Sequence, residues 1–276
     1  MMKGPGLYSD IGKKAKDLLT KDYSFDHKLT ISTQSASGVA LTSGALKKGG
    51  LFSFDIGTVY KYKTTTIDVK VDTNSNISST LTFTDLLPST KTIATLKFPD
   101  YNSGKVEVQY FHDHATVSST VALKQSPIVD FSATVGAHGL AFGAEAGFDT
   151  ASGNFTKYSA GIGLTKPDYN VSVILGDMGD SIRGSYVHYL DEKQKSAVVG
   201  EITRKFSTNE NAVTVGGAYA LDDLTTVKTK LNNSGKLGTA LLHELKPKTI
   251  LTISGEFDTK ALDKTPKFGL ALALKP

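Results

Sequence analysis

Two clusters in this chain of 276 residues have residue types that could do chemistry. His112-Asp113-His114 sets two imidazoles two residues apart, so on a strand both would share a face. A zinc site needs further ligands at matching spacing, and none is evident, so a solvated hairpin end is the plainer reading. Ser234-Gly235-Lys236 echoes the end of a phosphate-binding loop. It lacks the first glycine at the right distance and the hydroxyl residue that should follow the lysine. Serine, histidine and aspartate are plentiful, but no serine sits in a nucleophile-elbow pattern. The absence of cysteine excludes disulfides, thiolate metal sites and a cysteine nucleophile. The clusters give no ground to expect an enzyme, a metal or a cofactor.

The remaining candidates are charges set into an alternating pattern. Asp68 and Lys70 alternate with Ile67, Val69 and Val71. Lys228 and Lys230 alternate with Val227, Thr229 and Leu231, and Lys124 follows Val121 and Leu123 in the same way. On strands, these charges occupy one face and the aliphatic residues the other. Tyr169, Val171, Val173 and Leu175 oppose Asn170, Ser172 and Gly176, and Phe268, Leu270, Leu272 and Leu274 oppose Lys267, Gly269, Ala271 and Ala273. With 31 basic and 27 acidic residues the net charge is only +4, too weak to indicate nucleic acid.

The elements that position these residues follow from periodicity. Residues 7–19 alone have helical period: Leu7, Ile11, Ala15, Leu18 and Leu19 share one thin face, with Lys13, Lys14, Lys16 and Asp17 elsewhere on the wheel. The spacing predicts one amphipathic helix suited to docking on a wall. From residue 25 onward the period is two, in segments of about ten residues broken by turn clusters such as Asn74-Ser75-Asn76, Ser152-Gly153-Asn154 and Asn233-Ser234-Gly235. About nineteen such segments make an antiparallel meander. The expected organisation is an N-terminal segment over 1–24 and a β-barrel over 25–276, in one domain.

Strands of about ten residues, tilted near 45°, span a bilayer, and alternation of that length is the mark of a transmembrane barrel. A soluble carrier of a small apolar ligand would need an apolar interior, which the lysine-bearing face contradicts. An import or scaffold protein would need long loops, and these turns are short. No apolar stretch after Met1-Met2-Lys3 resembles a signal peptide, and none approaches the length of a spanning helix.

Tyr219-Ala220-Leu221-Asp222-Asp223-Leu224-Thr225, with Thr229-Lys230-Leu231-Asn232-Asn233-Ser234 and Leu245-Lys246-Pro247, resembles the signature of the mitochondrial outer-membrane porins, the voltage-dependent anion channel family, in its plant form. Tyr8-Ser9-Asp10-Ile11-Gly12-Lys13 is similar to the family's N-terminal helix. The resemblance implies a nineteen-stranded barrel with the helix in its lumen and voltage-gated, weakly anion-selective exchange. Adenine nucleotides, phosphate, organic anions and small ions would be the solutes in transit, with membrane lipid as the surrounding partner. Homo-oligomers are left open, and no nucleic-acid site is evident.

It further implies nucleotide contact and gating at Lys13, Lys16 and Lys21, and a C-terminal insertion signal at Lys267, Gly269, Leu272 and Leu274. Lys70, Lys124, Lys228 and Lys230 are expected to face the lumen and set selectivity; Val69, Val171 and Leu272 are expected to face lipid. Val69 stands where animal members carry a lipid-facing glutamate, so regulation through that carboxylate is not expected.

Overall fold

A computed structural model describes residues 4–261 and 263–275. Nineteen strands belong to one sheet, and β1 (His27–Gln34) pairs with both β2 (Val39–Lys48) and β19 (Lys267–Leu274). First and last strands are therefore joined, and the fold is a closed β-barrel in which no strand is left as an edge. No helix among the described residues is long and apolar enough to cross a membrane.

Contacts divide the chain into two compact units. The first comprises residues up to Tyr8, Ile31–Ala45 and Ser53–Ala160. It holds most of β3 (Leu51–Tyr62), then β4 (Thr65–Asp72), β5 (Ile77–Thr84), β6 (Thr90–Phe98), β7 (Lys105–Phe111), β8 (Ala115–Ala122), β9 (Ile128–Ala137) and β10 (Leu140–Asp149). Each strand from β3 to β10 pairs antiparallel with the next. The connections are short because the turn residues accept positive φ. His138 (φ 54°) and Gly139 (φ 86°) make the two-residue β9–β10 turn, which needs both angles positive to match the twist of the strands.

The second unit comprises Ser9–Thr30, Leu46–Phe52 and Gly161–Pro276. It holds the end of β11 (Asn154–Thr165), then β12 (Tyr169–Gly176), β13 (Ser181–Tyr189), β14 (Ala197–Lys205), β15 (Glu210–Ala220), β16 (Thr225–Asn232), β17 (Lys236–Lys246), β18 (Thr249–Asp258) and β19. Pairing from β12 to β19 is again antiparallel between neighbours.

Register shows how the two faces arise. In the second unit Val171, Tyr186, Gly200, Val215 and Leu231 lie opposite one another in a row across five strands. The adjacent row of the other face reads Ser172, Ser185, Glu201, Thr214 and Asn232. In the first unit Ile67 stands opposite Tyr60 and Leu81, while Asp68 stands opposite Val59 and Thr80. The apolar face is open to the surroundings: Phe54, Ile56, Val108, Phe142, Val173, Ile202, Val215 and Leu270 are all exposed. So large an uncovered apolar surface is stable against lipid and not against water.

Aromatic residues gather at the strand ends of this face. The first unit puts Tyr60, Tyr62 and Tyr110 beside one row of turns and Phe98, Phe148 and Phe155 beside the opposite row. In the second unit Tyr169 stacks on Tyr186, which stacks on His188, each pair with centroids 6.3 Å apart, while Phe257 and Phe268 meet edge to face at the other row. Rings at both margins of an apolar band are the girdles of a membrane-spanning barrel.

The N-terminal segment departs from the predicted single helix over 7–19. Tyr8–Asp10 form a 3-10 turn, Gly12 is left-handed at φ 75°, and α1 runs Lys13–Thr20. A side chain at Gly12 would stand 3.0 Å from Ser172 Oγ and 3.1 Å from Ile174 Cδ1, so close approach to the wall breaks the helix there. Lys124 also departs from expectation. β8 ends at Ala122, and Lys124 lies in the bend that follows.

The facing assignment predicts unequal tolerance. Val173→Arg should destabilise the barrel in lipid by about 2–4 kcal/mol, and Thr203→Arg, at similar depth on the other face, by about 1 kcal/mol or less. Reversible denaturant unfolding in liposomes measures both.

Candidate functional site: the N-terminal segment on the polar wall

Polar and apolar faces compete for the N-terminal segment, and the polar face holds it. Ala15 is fully buried and Leu19 nearly so, packed against Val187, Ala197 and Val199 of β13 and β14 with Leu18 and Tyr189 at the margin. An eight-residue helix buries few side chains, so its docking depends on how closely its backbone approaches the sheet. The wall beneath is accordingly built small. A Cβ at Gly216 would lie 2.6 Å from the Thr229 carbonyl oxygen and 3.0 Å from Leu19 Cδ2. Ile11 lies over Gly161 and Gly163, with its Cγ2 3.5 and 3.4 Å from where their Cβ atoms would be.

The chain after α1 follows the same trough. Tyr23 is buried against Gly238, and Ser24 crosses Gly269 so tightly that no side chain fits there. The Ser254 hydroxyl donates to the Ser24 carbonyl. Gly269 therefore has a structural task besides its expected part in the insertion signal. Lys267 and Gly269 stand on the polar face, with Lys267 Nζ 3.3 Å from Glu256 Oε1, while Leu272 and Leu274 stand on the apolar one.

Lys228 and Lys230 lie on the expected face, and their ammonium groups turn to the N-terminal segment. Lys228 Nζ is 2.6 Å from Asp22 Oδ2. Lys230 Nζ donates to the Leu19 carbonyl oxygen at 2.7 Å and sits 4.3 Å from the centre of the Tyr23 ring. Lys70 reaches Asp55 across β3–β4 at 3.0 Å. Val69 and Val171 are on the apolar face. Ser172 is buried beneath Gly12 and shares a 2.6 Å hydrogen bond with Ser185, so the segment covers it.

Lys13, Lys16 and Lys21 are exposed on the side of the segment turned from the wall, together with Lys14. Lys21 has left the helix and caps its end, its N–H donating to the Asp17 carbonyl. Lys13 pairs with Asp10 at 3.1 Å. Two further lysines join them. A cleft of about 240 Å³ is lined by Lys14, Lys21, Lys228 and Lys195, with Tyr189 at its side. Sequence periodicity had no signal for Lys195, because it lies in the β13–β14 loop. There the Asp191 carboxylate accepts from the Lys195 and Ser196 backbone N–H groups, and its pKa is lowered by those bonds. Lys195 Nζ donates to Asp223 at 2.6 Å, which holds the Lys195 ammonium protonated to higher pH and the Asp223 carboxylate ionised to lower pH.

The two histidines first considered for metal lie exposed in the β7–β8 turn, where His112 Nδ1 accepts from the His114 backbone N–H at 3.3 Å.

An apolar exposed band, aromatic girdles, a closed sheet and a polar face carrying a docked segment define a membrane-spanning barrel of the porin class. Comparison agrees with this. A triple mutant of the Rh. blastica porin has the same fold, with a TM-score of 0.50 over 88% of this chain and 95% of that one at 11% identity. The family model described as eukaryotic porin matches residues 4–269, and the chain belongs to that family. It is 66% identical to mitochondrial outer membrane protein porin 5 of Oryza sativa subsp. japonica over 100% of this chain and 99% of that one. It is 62% identical to mitochondrial outer membrane protein porin 2 of Arabidopsis thaliana, with both chains covered in full. The chain is thus a pore-forming protein of the mitochondrial outer membrane.

Two outcomes test the docked segment. Ala15→Glu, which alters no strand residue, should lift the helix from the wall and expose the chain before residue 25 to added protease in liposomes, with the β-sheet spectrum unchanged. Tyr23 supplies the second. Burial first, and then the neighbouring Asp22 charge, push its phenol from 10.0 up to about 12. A raised folded pKa means the docked state is favoured below pH 10 and loses that advantage as pH rises towards 12. Among the described residues the Tyr23 hydroxyl has no hydrogen-bond partner. Tyr23→Phe should therefore keep the segment docked and remove the last step from an ultraviolet titration of the phenols.

Proposed function

We propose that the protein is a voltage-gated, weakly anion-selective diffusion pore through which adenine nucleotides, phosphate, organic anions and small ions cross the mitochondrial outer membrane. The observation that carries this reading is the orientation of the N-terminal segment. Its apolar residues are spent on the wall, and Lys13, Lys14, Lys16 and Lys21 are left facing water. In a barrel whose apolar face meets lipid, the polar face and everything docked on it line the aqueous path. Lysines on that segment stand where phosphate groups must pass, beside a cleft in which Lys195 and Lys228 each already have a carboxylate partner.

Selectivity is weak because the wall itself is nearly balanced. Lys157 sits between Asp130 and Glu145 at 3.3 and 3.4 Å, and Lys70 and Lys267 each have a carboxylate partner. What remains is a modest positive excess, screened within about 10 Å at 0.1 M salt. Weak holding suits transit, since a conducting site must release what it admits. Lysines that move with the segment also couple it to voltage, at about 2.3 kcal/mol per elementary charge per 100 mV.

Replacing Lys13, Lys16 and Lys21 together by Gln should flatten the voltage dependence of closure and weaken block by nucleotide in planar bilayers. The reversal potential under a salt gradient should move from a small anion preference towards zero. Unchanged voltage steepness together with unchanged nucleotide block would refute the role given to these lysines.

A further inference from the structure

We infer that Lys228 and Lys230 are positioning residues, a latch that fixes the end of the N-terminal segment to the wall and sets the voltage at which the pore closes. The inference rests on the reading of the protein as a voltage-gated pore.

The geometry separates these two lysines from the other cations of the polar face. The side chains of the Lys228–Asp22 pair are only 13% and 26% exposed, against 57% and 44% for the Lys13–Asp10 pair. A half-buried pair is screened far less by salt than an exposed one, so it keeps its strength in the bathing solution of a pore. Lys230 meets a different need. The last carbonyls of a helix have no partner within it and carry the negative end of its dipole. Lys230 Nζ donates to the Leu19 carbonyl at 2.7 Å and also lies 4.3 Å over the Tyr23 ring, so one cation binds both sides of the helix end.

Along α1 the attachment is otherwise apolar contact, which is not directional, and beyond it the Ser254 hydroxyl also holds the Ser24 carbonyl. The two ammonium groups supply the direction: they specify where along the trough Leu19, Asp22 and Tyr23 stop. The helix end cannot move from the wall without breaking both. The lysines proposed to sense voltage flank this point at Lys16 and Lys21, so force on them is resisted here first.

The latch and the voltage sensor are separable by measurement. The latch sets the midpoint of closure; the sensing lysines set its steepness. In the full chain refolded in lipid, Lys228→Glu should shift closure to lower voltage and reduce open occupancy at fixed voltage by about tenfold, the equivalent of one half-buried charged contact. Steepness should stay as in the parent. The chain has no cysteine, so a spin label on Thr20→Cys reports the segment without interference, and it should become mobile in the same variant. Asp22→Asn, which alters no strand residue, should act in the same direction and guards against a sheet that fails to assemble. Lys228→Arg should keep the parent midpoint, and the exchange Asp22→Lys with Lys228→Glu should restore midpoint and label immobility together.

An immobile label in Lys228→Glu and Asp22→Asn would overturn the latch. A mobile label with an unchanged midpoint would overturn its part in closure, and so would an exchange variant that folds but stays mobile. Failure of the triple Gln variant to change steepness would refute the sensor and leave the latch standing.

Discussion

Every backbone N–H and C=O that enters hydrocarbon must find a partner inside the protein, and the rest of this structure depends on that requirement. It forces the strands to pair with both neighbours and β1 to pair with β19. It makes tight turns the economical connections, and hence explains the asparagine, glycine and serine clusters between strands. It also separates the faces. Once the backbone is closed, side chains are free to satisfy lipid on one side and water on the other, except where the polar face is covered by the N-terminal segment and carries Val187 and Val199.

A second constraint acts on the polar wall. The N-terminal segment lies against the sheet at backbone distance, so the wall under it is made of Gly161, Gly163, Gly216, Ala218, Gly238 and Gly269. Charge is then distributed around this trough. β16, beside the helix end, presents Lys228 and Lys230 to it, while elsewhere on the face lysines and carboxylates neutralise one another in pairs. The segment itself carries Lys13, Lys14, Lys16 and Lys21 against Asp10, Asp17 and Asp22, on a piece that is docked and not woven into the sheet.

The strands and their facing were legible in the sequence because a period of two leaves a mark on every residue. Ile67 to Asp72, Thr225 to Asn232 and Lys267 to Leu274 each face as their alternation predicts. The single helix over residues 7–19 was not, because its break at Gly12 is caused by Ser172 and Ile174 of a distant strand. Lys124 fitted an alternation that ends one step earlier, at Ala122, where no residue type marks the boundary. The two wall lysines were placed on the correct face, but their partners lie far along the chain, and periodicity carries no information about what covers a face. The same holds for Ser172, which alternation sets opposite Val171 and Val173 and whose burial comes from the segment above it. Val69 shares a face with Ile67 and Val71, a placement that depends on its strand alone.

The contacts that hold the segment span unusual stretches of chain. Asp22 and Lys228 are 206 residues apart, Leu19 and Lys230 are 211 apart, and Ser24 and Ser254 are 230 apart. Ribosomes release the N-terminus first, yet the surface that receives it does not exist until β16 to β18 have joined the sheet. Loop closure over such distances cannot be repaid early in assembly. The first part of the chain to be made is thus the last to find its place, and its arrival certifies that the sheet behind it is complete.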